Sequence, residues 1–147
     1  MTREHQPSIG KGGRPGGFEL KLPYRLTGEG GNRCVEYRND ELPFEGPRRM
    51  KGYQADSDAK QTYSGQIYEE RNRGFLALRG QISRAIAGKA GSIGTLRISG
   101  ELDPLIRSGD WNDIDAIALG NTLLQLVNGH VMSILVDDDA ANRIKMF

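Results

Sequence analysis

Leu123-Leu124-Gln125-Leu126-Val127-Asn128-Gly129-His130-Val131-Met132-Ser133-Ile134-Leu135-Val136 is the stretch whose reading decides the fold class. Two β-rich runs flank one Asn-Gly pair, and a type I′ turn asks both of its central residues for positive φ. The pattern predicts an antiparallel hairpin with Val127 opposite His130. Just upstream, residues 111–119 read as another strand, closed by Gly120-Asn121. Near the other end, Phe18, Leu20, Leu22, Tyr24 and Leu26 alternate with Glu19, Lys21, Pro23 and Arg25. That period of two marks a half-buried strand. Pro23 has no N–H for the ladder, so the strand belongs at an edge or carries a bulge.

Between these two anchors, residues 34–38, 50–56, 65–71 and 75–80 read as strands, separated by Gly- and Pro-containing turns. Residues 81–100, with Gly88, Gly91, Gly94 and Gly100, read as an irregular insert, and residues 102–107 as one helical turn. Many short strands with little helix predict an all-β protein, a β-sandwich or jelly roll. Residues 1–17 read as a flexible leader and residues 18–147 as one β-sandwich domain, since 147 residues suit a single domain. The Asp-rich turn near the end has no strand after it, so the sandwich is expected to be incomplete, C-terminally truncated.

Composition removes several function classes. Twenty Lys and Arg against nineteen Asp and Glu leave a formal charge of +1, which gives no electrostatic reason to expect nucleic acid or an anionic membrane as partner. No apolar run approaches the roughly 20 residues a bilayer span needs. The single Cys34 excludes an intrachain disulfide framework and a multi-cysteine zinc site. The glycine-rich stretches at residues 10–17 and 88–92 lack the strand–loop–helix setting of a phosphate loop. Asp137-Asp138-Asp139 reads as a solvated turn, and His5 and His130 match no two-histidine metal motif. The cofactor is therefore unassigned, although a divalent cation held by carboxylates gathered from several strands is compatible with the sequence.

The polar strand faces are more informative. Alternation puts Glu36 and Arg38 on one side of the second strand, Gly52, Gln54 and Asp56 on one side of the third, and Gln66, Tyr68 and Glu70 on one side of the fourth. If those strands pair, Arg38, Gln54, Asp56, Tyr68 and Glu70 line one surface. Arginine, amide, carboxylate and phenol beside one another suit sugar hydroxyls, while an ordinary solvated sheet face is the bland alternative. Glu69 and Glu70 are adjacent and must point to opposite faces, so Asp56 with Glu70 is the better pair.

Phe18-Glu19-Leu20-Lys21, Gly31-Asn32 before Tyr37-Arg38, Gly52-Tyr53-Gln54-Ala55-Asp56, Gly65-Gln66-Ile67-Tyr68-Glu69-Glu70-Arg71, Arg73-Gly74, Gly109-Asp110-Trp111-Asn112, Gly120-Asn121 and Asn128-Gly129-His130 occur in that order. The ordered set resembles the 3-keto-disaccharide hydrolase domain family. Where that family usually has Gly-Asn-Ser-Gly, this chain has Gly31-Asn32-Arg33-Cys34. The resemblance implies a concanavalin A-like jelly-roll β-sandwich with the sugar on a concave sheet, expected here to be incomplete at both ends, without the family's opening strand before Phe18 and its closing strands. It implies glycosidase-type cleavage of 3-keto-glycosides, and it suggests an exported bacterial protein, although this chain shows no signal peptide. Asp56 and Glu70 are then the expected acid–base pair, in either order, Arg38 and Tyr68 the donors to oxygen, and Gln54 a sugar-orienting group. Trp111 is expected either to stack on a ring or, the favoured assignment, to lie buried between the sheets. Two routes fit a 3-keto substrate: elimination followed by hydration, and direct hydrolysis. A lectin-like carbohydrate-binding module without activity is the alternative function.

Overall fold

Asn128 and Gly129 adopt φ values of 52° and 78°, the left-handed pair expected of them. They join strands that the computed structural model, which describes residue 13 and residues 15–142, places with Val127 opposite His130. Most of the leader read at residues 1–17, His5 included, lies outside the described residues.

In chain order the strands are β1 (Phe18–Arg25), β2 (Asn32–Glu41), β3 (Met50–Asp58), β4 (Ile67–Glu70), β5 (Gly74–Ala77), β6 (Gln81–Ile86), β7 (Lys89–Thr95), β8 (Trp111–Leu119), β9 (Thr122–Val127) and β10 (His130–Asp137). They form a six-stranded sheet in the order β1-β8-β9-β10-β6-β7 and a four-stranded sheet in the order β2-β3-β4-β5. Pairing is antiparallel except where β10 runs parallel to β6. β1 occupies an edge of the larger sheet, as Pro23 requires. The mostly β, sandwich-like architecture agrees with the sequence.

The two sheets share one apolar layer. Tyr37, Tyr53, Ala55, Ile67, Leu76 and Ala77 from the smaller sheet meet Ala85, Ile114, Ala116, Ala118, Leu123 and Leu135 from the larger. A second cluster of Leu102, Ile106, Val127 and Met132 seats the short helix α1 (Ser99–Leu102) and the 3-10 turn that follows it. None of the described helices is long and apolar enough to cross a membrane.

Two expectations need correction. Residues 81–100 are not an irregular insert: β6 and β7 form a regular hairpin, turned at Ala87 and Gly88 with φ of 51° and 78°. The alternation is disguised because the buried side of β6 carries the small residues Ser83 and Ala85, while Ile86 and Ile93 are exposed. A bulge between Ile82 and Ser83 breaks the period as well. Nor is Asp137 in a solvated turn. Its side chain is fully buried at the end of β10, where it accepts from Arg73 Nη2 at 2.6 Å, Arg73 Nη1 at 3.1 Å and Tyr53 Oη at 2.5 Å. Arg73 also pairs through Nε with buried Glu69. A cation and two carboxylates thus tie β3, β4 and the β4–β5 turn to the opposite sheet.

Candidate functional site

β2, β3 and β4 are lateral neighbours in one register. Cys34 lies opposite Asp56, Glu36 opposite Gln54, Gln54 opposite Tyr68, and Gly52 opposite Glu70. A single outer face therefore carries Glu36, Gln54, Asp56, Tyr68 and Glu70. Its middle row runs Glu36–Gln54–Tyr68, and Phe75 of β5 extends the row beyond Tyr68. Asp56 stands on one side of that row and Glu70 on the other. Their register positions on β3, Asp56 and Gly52, are four steps apart; with the one-strand lateral offset of Glu70, this puts the two Cα atoms about 14 Å apart at the usual rise and strand spacing.

Arg38 does not join this face. β2 bulges between Tyr37 and Asp40, so that Arg38 and Asn39 together oppose the single residue Gly52. Arg38 takes φ 50° there and turns through the sandwich, donating to Gly120 O at 2.7 Å and Gly16 O at 2.6 Å. Asn39 takes over the outward position and lies against Gly52, where a Cβ would come within 2.8 Å of Asn39 Cα. The extra residue inverts the alternation, and the expected arginine gives way to an amide. Asn39 Nδ2 donates to Glu36 Oε2 at 2.9 Å, and Gln54 Nε2 donates to Glu36 Oε1 at 3.0 Å. Both oxygens of Glu36 are thereby held.

Asp56 has the most unusual environment. Its side chain is buried although it sits on the outer face. Burial, followed by the charges of Asp58, Glu70 and Glu36, pushes its pKa up to about 7. The backbone beneath it is fixed, since Asp56 O accepts from Gly65 N at 3.1 Å and from Gln125 Nε2 at 3.3 Å, across the sandwich. Glu70 is half-buried, with Arg71 Nε 3.8 Å away, and Arg71 is itself drawn off to Glu45 at 2.5 Å. The same acids act on Cys34, whose thiol is pushed up to about 12 by burial, Glu36, Asp56 and Glu70. At neutral pH it is a thiol rather than a thiolate nucleophile. Among the described residues, no three His, Cys, Asp or Glu side chains gather as metal ligands.

A family model for the 3-keto-alpha-glucoside-1,2-lyase-like domain matches residues 9–146. The chain belongs to that family. Its description implies cleavage of 3-keto glycosides. A comparison with curated proteins gave no match.

In this lyase-like domain, Trp111 is not buried between the sheets; it lines a cavity shared with Tyr24 of β1, Cys34 of β2 and Ala55 of β3. It opens β8 in the larger sheet, is 53% exposed, and carries the Arg25 guanidinium over its ring at 5.3 Å. Two outer-face residues were not among the expected site residues. Glu36 shares the face by alternation alone, and its role as hub emerges only when β2 pairs with β3. Asn39 is the second; it depends on the bulge, which no local motif announces. Glu69 lies beneath the face as alternation requires, fully buried against Arg73.

Proposed function

We propose that the chain cleaves 3-keto glycosides by elimination across carbons 1 and 2, with Asp56 as the base. The observation that carries this reading is a buried carboxylate whose pKa is about 7, set among other acids on a face that also offers an amide and a phenol. A general base works best when its pKa lies near the working pH. The ketone at carbon 3 acidifies the proton on carbon 2, because the electron pair left behind delocalises into the carbonyl as an enolate. Asp56 takes that proton. The enolate then collapses, a double bond forms between carbons 1 and 2, and the bond from carbon 1 to the aglycone oxygen breaks. Glu70, beyond the opposite side of the central row, supplies the proton that leaves with the aglycone. Tyr68 donates to the enolate oxygen and Gln54 holds a sugar hydroxyl. The products are the aglycone alcohol and an unsaturated keto sugar, and addition of water to the double bond completes a net hydrolysis. The reading takes the sandwich as a concanavalin A-like jelly roll with the sugar on its four-stranded sheet.

Asp56→Asn is expected to abolish turnover of a 3-keto glucoside while the fold is retained, judged by a cooperative melt. Exchange of the carbon 2 proton for deuterium in heavy water, faster than aglycone release, identifies elimination. Full turnover by Asp56→Asn rejects the site, and turnover with no deuterium incorporated into recovered substrate or the hydrated product favours direct displacement.

A further inference from the structure

We propose that Tyr63, Phe75 and Tyr68 form a stacking platform for a flat aryl aglycone, an inference that rests on the cleavage site proposed above. Three aromatic rings meet at the β5 end of the acidic face. Tyr63 and Phe75 stack with centroids 5.5 Å apart and planes at 19°. Tyr68 meets Phe75 edge-on at 4.9 Å and 65°. Tyr63 is 45% exposed and Phe75 44%, so the cluster presents apolar surface to solvent. Large exposed aromatics grouped beside polar groups mark a binding surface more often than scattered single ones do.

The platform is held before any ligand arrives. Asp58 accepts from the backbone N–H groups of Thr62, Tyr63 and Ser64 at 2.9, 2.7 and 2.9 Å, which fixes the turn bearing Tyr63. Buried Arg79 clamps the same turn from below through Gln61 O and Ser64 O at 3.0 and 2.6 Å. A fixed aromatic costs little entropy on binding.

Position and chemistry name the occupant. Strands lie about 4.8 Å apart, so the step from Gln54 on β3 to Phe75 on β5 is about 10 Å, one pyranose and the start of its substituent. A sugar over Gln54 and Tyr68 thus directs its aglycone toward Phe75 and Tyr63. A second sugar would want hydroxyl partners at that point. The nearby amide of Gln66, however, is already donating to Thr62 O at 3.2 Å, and the three rings offer faces and edges. A flat apolar group fits better.

The test compares phenyl and methyl glucosides, unoxidised and 3-keto. Calorimetry with the unoxidised pair reads binding without catalysis: the phenyl glucoside is expected to bind about tenfold more tightly, and Tyr63→Ala/Phe75→Ala to erase that preference. With the 3-keto pair, the double variant is expected to raise KM for the phenyl substrate about tenfold and leave the methyl substrate unchanged. Equal binding of phenyl and methyl glucosides by the wild type overturns the platform, as does a preference that survives in the double variant. Failure of the cleavage reading shows separately, as absent turnover of either 3-keto substrate beside an intact phenyl preference in binding.

Discussion

The two faces of the four-stranded sheet are built from neighbouring residues and have opposite electrostatics. On the inner face, Tyr53 and Glu69 join Arg73 and Asp137 in a buried set where every carboxylate meets a cation or a hydroxyl. On the outer face, Gln54 and Glu70 are the next residues along the same strands, yet the acids there repel one another. Burial alone would raise the Asp137 pKa, but the hydrogen bonds from Arg73 and Tyr53 outweigh it and hold the carboxyl below its ordinary value. For Asp56, burial and its charged neighbours act in the same direction, upward. The comparison separates a carboxylate kept charged to join the sheets from one that burial and like charges hold near neutrality.

The sharpest break of that comparison is Arg73→Ala. It strands Glu69 and Asp137 in the core without their cation, and the expected loss is about 3–5 kcal/mol of stability in urea denaturation. A loss under about 1 kcal/mol, the range of an exposed pair, would show that the inner set contributes little.

Asp56→Asn tests the outer face with the opposite sign. A carboxyl whose folded pKa is raised from 3.8 to about 7 is fully accommodated at pH values below 3.8, and it costs stability as pH rises from there through 7. The variant should therefore be more stable than wild type at pH 8 by about 2–4 kcal/mol, since a tenfold change in proton affinity is worth roughly 1.4 kcal/mol. The difference should close in acid, below the ordinary carboxylate range. Asp137, lowered in the folded state, contributes stability above its unfolded pKa that is lost on acidification, so the wild type is penalised at both ends.

Gly52→Ala probes the bulge that sets the outer face. Its Cβ would press on Asn39, whose backbone lies 2.8 Å from that point. A loss of about 1–3 kcal/mol is expected, with turnover falling as Glu36 loses its donor. Glu70→Gln removes the proposed proton donor and one like charge facing Asp56, so turnover should fall and the rising limb of the residual kcat/KM profile should move to lower pH. The smallest effect is expected for Trp111→Ala. Its ring is half-exposed under Arg25 and takes no part in the proposed chemistry, so turnover should stay within about twofold of wild type, as for a surface change.

Much of this was legible in the chain. The Asn128-Gly129 turn, the edge strand marked by Pro23 and the outward alternation of Gln54, Asp56, Tyr68 and Glu70 all follow from local rules. Local rules also produced the errors. The β6–β7 hairpin stayed hidden because its core side carries Ser83 and Ala85, and Arg38 was assigned to the wrong face because a bulge adds a residue without leaving a motif. Of the two assignments for Trp111, burial between the sheets fails, because a large ring at a strand start can lie exposed under an arginine.

By itself the sequence determined most of the strands and their faces, because alternation and turn chemistry act over a few residues, and its ordered motifs pointed to the family. Tertiary structure decided which acid is perturbed and which is neutralised. That outcome depends on what lies across the sheet and across the sandwich: Glu36 and Glu70 around Asp56, Arg73 against Asp137. Electrostatic energy is set by distance through space, and separation along the chain does not encode it.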